Sequence, residues 1–176
     1  MTPALLIIDM QVGSFSPRRH DTDALLARLN ALAAKTRALG GRVVFVQHDG
    51  PPGDDYHPDA AGWPILPDLV MAKGDAIVHK QSCDSFLNTD LDAVLRNAGA
   101  SKLIITGSAT DYCVDTTVRS ALGRGYKTIV PSDGHTTSDR PHLKATQIIA
   151  HHNAIWADFI SPAGAADVRP CARVFD

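Results

Sequence analysis

Gly107-Ser108-Ala109-Thr110-Asp111-Tyr112-Cys113-Val114, preceded by the apolar run Leu103-Ile104-Ile105-Thr106, is the stretch whose reading decides the fold. The run reads as a buried strand, and an amphipathic helical pattern follows it. The spacing predicts a strand-to-helix turn with Cys113 at the N-terminus of a helix. Unpaired backbone N–H groups and the positive end of the helix dipole favour thiolate over thiol there, and they offer donors to an oxyanion forming on a substrate carbonyl. Cysteine is also among the most buried residue types, so a single cysteine points first to packing. What decides is what the rest of the chain brings to it.

Working outward, Ala4 to Ile8 is a short continuous apolar run that ends in Asp9, the pattern of a strand buried on both faces with a carboxylate at its carboxyl end. A polar loop from Gly13 to Asp21 follows, and then Leu25, Leu29, Leu32, Thr36 and Leu39 recur at helical spacing until Gly40-Gly41. Arg42 to Gln47 is the second strand. Strand, helix, strand implies a right-handed crossover and a parallel sheet. From His48 to Pro67 the periodicity gives way to prolines and glycines, with Tyr56 and Trp63 as the large aromatics; a loop this long inside a domain is more often a lid or binding loop than a connection.

Ala76 to His79 is a third strand, ending in Lys80. Thr89 is the expected cap of a helix whose Leu91, Val94, Leu95 and Ala98 form an apolar stripe, with Asp92 three residues after the cap and Gly99 closing it. Lys102 to Thr106 is the fourth strand, Asp111 to Gly123 the helix that carries Cys113, and Lys127 to Val130 the fifth strand. A Gly- and Thr-containing loop, Ser132 to Asp139, leads to a helix expected from Pro141 to Asn153, and a last short strand falls near Ala166 to Arg169. The alternation describes one doubly wound α/β domain over residues 1–176.

Composition narrows the partners. In 176 residues, 44% are hydrophobic and the formal net charge is -2 without runs of like charge, which gives no reason to expect nucleic acid or an anionic membrane surface. A small-molecule substrate and further subunits are the expected partners. Cys83, Cys113 and Cys171 make neither a disulfide framework nor a zinc spacing, so a reducing, cytoplasmic setting is expected. The opening residues lack a basic leader and no apolar run reaches the ~18 residues of a membrane span.

Asp9, Lys80 and Cys113 each fall just past the carboxyl end of a strand, where open parallel sheets bind ligands, so three residues distant in sequence are expected to converge on one crevice. A nucleophile, a carboxylate to take its proton and a cation to steady the developing charge are the parts for acyl transfer through a thioester. Together with Leu6-Ile7-Ile8-Asp9-Met10-Gln11, Lys80-Gln81-Ser82-Cys83-Asp84-Ser85-Phe86, Thr89-Asp90-Leu91, Gly107 to Thr117 and Gly125-Tyr126, they give the chain its resemblance to the isochorismatase-like cysteine hydrolases. That superfamily includes nicotinamidases, N-carbamoylsarcosine amidohydrolase and streptothricin hydrolase.

The resemblance implies a three-layer α/β/α fold with a six-stranded parallel sheet in the order 3-2-1-4-5-6. It also implies Asp9, Lys80 and Cys113 as a catalytic triad, and a cis peptide between Ser108 and Ala109 that turns the N–H groups of Ala109 and Cys113 toward one oxyanion position. Homo-oligomers, dimers or tetramers, are common among such proteins. Gln11, Phe15, Trp63, Phe86 and Tyr112, on loops at the same sheet edge, are expected walls of the substrate pocket; Cys83 is assigned no role. The metal-binding aspartate and histidines of nicotinamidases have no counterpart in His48-Asp49-Gly50 and His57, so neither a metal nor another cofactor is expected. The retained Cys113 favours hydrolysis of a linear amide over isochorismatase-type vinyl-ether cleavage or a catalytically silent binding module.

Overall fold

A computed structural model describes residues 2–176. Its strands are β1 (Thr2–Ile8), β2 (Arg42–His48), β3 (Ala76–Lys80), β4 (Ala100–Ser108), β5 (Lys127–Pro131), β6 (His135–Thr136) and β7 (Asp167–Arg169). The helices are α1 (Thr22–Ala38), α2 (Leu91–Asn97), α3 (Asp115–Gly123) and α4 (Ala145–Ala157). The sheet runs β3-β2-β1-β4-β5-β7, with β6 paired to β4 off this path, and every pairing is parallel. The expected order holds for six strands, the sixth being β7.

Successive side chains of a strand point to opposite faces, and β1 divides accordingly. Ala4, Leu6 and Ile8 pack with Leu91, Leu95, Val118, Leu122 and Trp156 of α2, α3 and α4. Leu5 and Ile7 pack with Leu25, Leu29 and Leu32 of α1 on the other face. A strand apolar on both faces can be buried only between helices on both sides, which makes β1 central and sends Asp9 out at its carboxyl end between β2 and β4.

The structure differs from the sequence reading at three points. The helix expected from Asp111 is a π-type turn over Thr110–Val114 followed by α3 from Asp115, so Cys113 sits in the turn and not in an α-helical first turn. The last helix starts at Ala145; Pro141 lies in the preceding turn, where Arg140 and Leu143 bridge. β6, a seventh strand, was not expected. The β4–β5 pairing extends from Lys102↔Lys127 to Ile104↔Ile129, and β6 takes up β4 farther along, at Gly107↔His135 and Ser108↔Thr136. At α2, Thr89 Oγ1 accepts the Leu91 N–H at 3.3 Å, while the Asp92 carboxylate turns away to Arg124 and Tyr126. Among the described residues no helix is long and apolar enough to cross a membrane.

Candidate active site

Three strand ends bring the chemistry together. Lys80 Nζ lies 2.7 Å from Asp9 Oδ2 and 3.3 Å from Cys113 Sγ, and it also donates to the Ser82 carbonyl at 2.9 Å. Its three N–H donors are thus all engaged. Lys80 is 1% exposed and Asp9 6%, so the pair is held in a low-dielectric setting where a charge without a partner is costly. Asp9 Oδ1 is buried with no hydrogen-bond partner among the described residues, which leaves an acceptor beside the cysteine.

The backbone that places these groups is tightly constrained. Asp9 follows β1 at φ 48°, in the left-handed region that aspartate tolerates better than most residues, with its N–H bonded to the Val46 carbonyl at 2.9 Å. The preceding residue, Ile8, faces Gly107 across the sheet; Gly107 is at φ 115°, where an added Cβ would lie 2.2 Å from the Ile8 carbonyl oxygen. Only glycine lets β4 approach the end of β1 this closely. The next peptide bond, Ser108–Ala109, is cis.

The electrostatics correct one expectation. Burial, and after it the Asp9 carboxylate, push the Cys113 thiol above its ordinary range; Lys80 pulls the other way without reversing the outcome. Cys113 therefore rests as a thiol: desolvation of a sulfur anion and a carboxylate beside it both oppose ionisation, and the cysteine stands in the π turn ahead of the α3 N-terminus. For Lys80 burial alone would lower the ammonium, but the Asp9 carboxylate, by its charge and its hydrogen bond, holds it above its usual value. His48, whose Nδ1 is 3.5 Å from Lys80 Nζ, is lowered by burial and then by that ammonium, so it is neutral near pH 7.

A cavity of about 460 Å³ opens over Cys113, with walls from Asp9, Ser108, Ala109, Tyr112, Tyr56, Arg19 and Arg140. A hollow of similar size, about 490 Å³, lies between α1 and the C-terminal turn beside Cys171. Burial, and after it the Asp133 carboxylate, push that thiol upward too; Arg28 and Lys35 also line the hollow, but no lysine ammonium donates to the Cys171 sulfur. The first cavity is the one onto which Asp9 and Cys113 both open.

The family profile described as Isochorismatase domain matches residues 3–159. The chain belongs to the isochorismatase family. A streptothricin hydrolase from Streptomyces noursei is 34% identical over 140 residues, which cover 78% of this chain and 56% of that protein, so the chain spans about half the relative's length. A ureidoacrylate amidohydrolase from Klebsiella pneumoniae is 27% identical over 168 residues, covering 74% of this chain and 71% of its own. A crystal structure of an isochorismatase family protein superposes with a TM-score of 0.86 at 32% identity, over 95% of this chain and 97% of the other.

In this isochorismatase-family chain the expected pocket walls are distributed unevenly. Tyr112 lines the cavity and is 54% exposed. Gln11 does not line it; it is fully buried and acts as a strut, donating to the carbonyls of His48 and Trp63 at 3.0 and 2.8 Å and accepting the His48 N–H at 2.8 Å. Phe15 packs in the α1-side core, and Phe86 packs in the other core against Tyr126. Trp63 stacks on His79 and donates to Asp49 at 2.8 Å, outside the cavity wall. Cys83, left without a role by the sequence, lines the cavity. His48, Asp49 and His57 do not gather: among the described residues no three His, Cys, Asp or Glu side chains converge as a metal site.

Arg19 and Arg140 escaped the sequence reading because they stand on aperiodic loops, and Tyr56 stands out there as an aromatic of the 48–67 loop without being placed in the pocket. The segment that unites these walls is β6 with Thr137. Asn153 Nδ2 donates to the Ser132 carbonyl, so its Oδ1 faces His135 Nε2, 3.0 Å away, and that nitrogen must carry the proton. His135 Nδ1 is then the acceptor for Thr110 Oγ1 at 2.9 Å, at the head of the π turn. Thr136 Oγ1 donates to the His20 carbonyl at 2.6 Å, beside Arg19, and Thr137 Oγ1 donates to Asp111 at 2.6 Å. Three consecutive buried side chains each hold a different wall of the cavity.

Proposed function

We propose that this chain hydrolyses the C–N bond of a small linear amide, with Cys113 as nucleophile and Asp9 as the group that moves its proton. The observation that carries the reading is one buried ammonium in contact with both a carboxylate and a thiol, at 2.7 and 3.3 Å. Asp9 takes the thiol proton as Sγ bonds to the carbonyl carbon. The negative charge that develops on sulfur during this transfer is faced by Lys80 and no longer opposed by an ionised carboxylate, and it passes to the carbonyl oxygen as the S–C bond forms. The backbone N–H groups of Ala109 and Cys113 receive the oxyanion. Asp9 next delivers its proton to the nitrogen, the C–N bond breaks and the amine or ammonia leaves. Water, deprotonated by Asp9, attacks the thioester; the acid departs and the thiol regains its proton.

The resting thiol fits this sequence of events, since proton transfer is tied to substrate attack and no free thiolate waits exposed to oxidants. The similarity to a named amidohydrolase supports the choice of bond. The test is a screen of small amides and ureides for released ammonia, followed by acid quenching and intact mass measurement. An acyl adduct on Cys113 is the expected result. Ammonia release that persists undiminished in Cys113→Ser would overturn the thioester route.

A further inference from the structure

Charge bookkeeping around the cavity singles out one side chain. Asp9 is matched by Lys80, and Arg140 is matched by Asp111 through Nε at 2.8 Å and Nη2 at 3.0 Å. Arg19 has no such carboxylate: the side chain that interacts with it most strongly is the Tyr56 hydroxyl, which also accepts Ser14 Oγ–H at 3.1 Å. The nearest carboxylate influence on Arg19 comes from Asp111, already taken by Arg140, and the Arg140 guanidinium repels it. Arg19 Nη1 is buried without a hydrogen-bond partner among the described residues. Asp54 also lines the cavity, but it stands exposed and accepts the Tyr56 N–H at 2.7 Å, so water screens its charge.

The guanidinium is also held in place before any ligand arrives. Arg19 Nε donates to the Ser14 carbonyl, the guanidinium lies over the Phe15 ring at 5.7 Å, and the Arg19 carbonyl accepts Thr22 Oγ1 at 2.8 Å. β6 fixes the adjacent residue from the other side through the His20 carbonyl. Arg140, stacked 5.0 Å over Tyr112, is fixed as well. Two immobilised guanidinium groups on one wall, one of them without a counter-charge, form a receptor that an anion completes; the planar fork suits a carboxylate.

We propose that Arg19, flanked by Arg140, anchors a carboxylate on the substrate, so that the amide hydrolysed at Cys113 belongs to an anionic small molecule. This rests on the proposed reaction for the position of the amide, but its test does not depend on turnover. Three amides of matched length differ only in their far end: succinamate carries a carboxylate, succinamide is neutral and β-alaninamide carries an ammonium. Their dissociation constants are measured by calorimetry on the Cys113→Ser chain, which cannot be acylated by thioester formation.

Succinamate is expected to bind about tenfold or more tightly than succinamide, the effect of one added hydrogen bond to a charged group, with β-alaninamide weakest. Arg19→Gln in the same background is expected to erase the difference between succinamate and succinamide. Equal affinity for the three probes, read without any change at Arg19, would overturn the anion site, as would a carboxylate preference that survives Arg19→Gln. The two proposals separate cleanly. A carboxylate preference without ammonia release by the wild-type chain removes the reaction and supports the anchor; ammonia release without a charge preference does the reverse.

Discussion

Asp9 has two duties that a substitution would separate. It is the proposed proton carrier for Cys113 and the sole carboxylate 2.7 Å from a lysine that is 1% exposed. Asp9→Asn is nearly isosteric but cannot carry a proton, so kcat/KM on an identified amide is expected to fall by about 100-fold to 10,000-fold, the range of lost general acid–base catalysis. The same change leaves a buried ammonium without its anion and is expected to cost about 3–5 kcal/mol in urea unfolding. Cys113→Ser should lose activity without that loss of stability, because Sγ neutralises no buried charge. Equal midpoints for wild type and Asp9→Asn would show that Lys80 does not depend on Asp9.

At the level of elements, the junction of β1, β4 and β6 concentrates the constraints. Gly107→Ala would drive a methyl group into the Ile8 carbonyl at a φ of 115°, so the variant is expected to unfold several degrees lower or to fail to accumulate as folded protein. β6 adds a dependence on pH. Burial holds His135 at about 4, below its ordinary 6.5, so the folded chain binds fewer protons there than the unfolded chain. The stability this represents is present above pH 6.5 and is lost as pH falls through 4, by about 3 kcal/mol in all. Thermal unfolding followed from pH 7 to 4 should show the loss, and His135→Gln should flatten it. Much of this architecture was legible in advance: continuous apolar runs at Ala4–Ile8 and Leu103–Thr106 revealed the central strands, and chemistry-bearing residues at their ends revealed the cleft. β6 was not, since two residues have no period. Neither was the protonation of Cys113, which burial and a carboxylate 104 positions away decide, nor Gln11 as a strut, whose partners lie 37 and 52 residues on.

Across the whole molecule, the order β3-β2-β1-β4-β5-β7 joins the first strand of the chain to one that begins at Ala100. One edge of β1 is satisfied by β2 after about forty residues, its other edge only by β4. On a ribosome emitting the chain from β1 onward, about ninety residues separate the end of β1 from the start of β4, and over that span one edge of β1 presents unpaired N–H and C=O groups, while α1 already covers one face and α2 alone is available for the other. Such an edge is a template for any passing strand. A fragment ended at Gly99 is accordingly expected to pellet when expressed, whereas the full chain remains in the supernatant; a fragment that stayed dispersed and monomeric would show that β1 is shielded before β4 exists. The central placement that lets Asp9 meet Cys113 therefore makes the nascent chain dependent on protection until residue 108 has emerged.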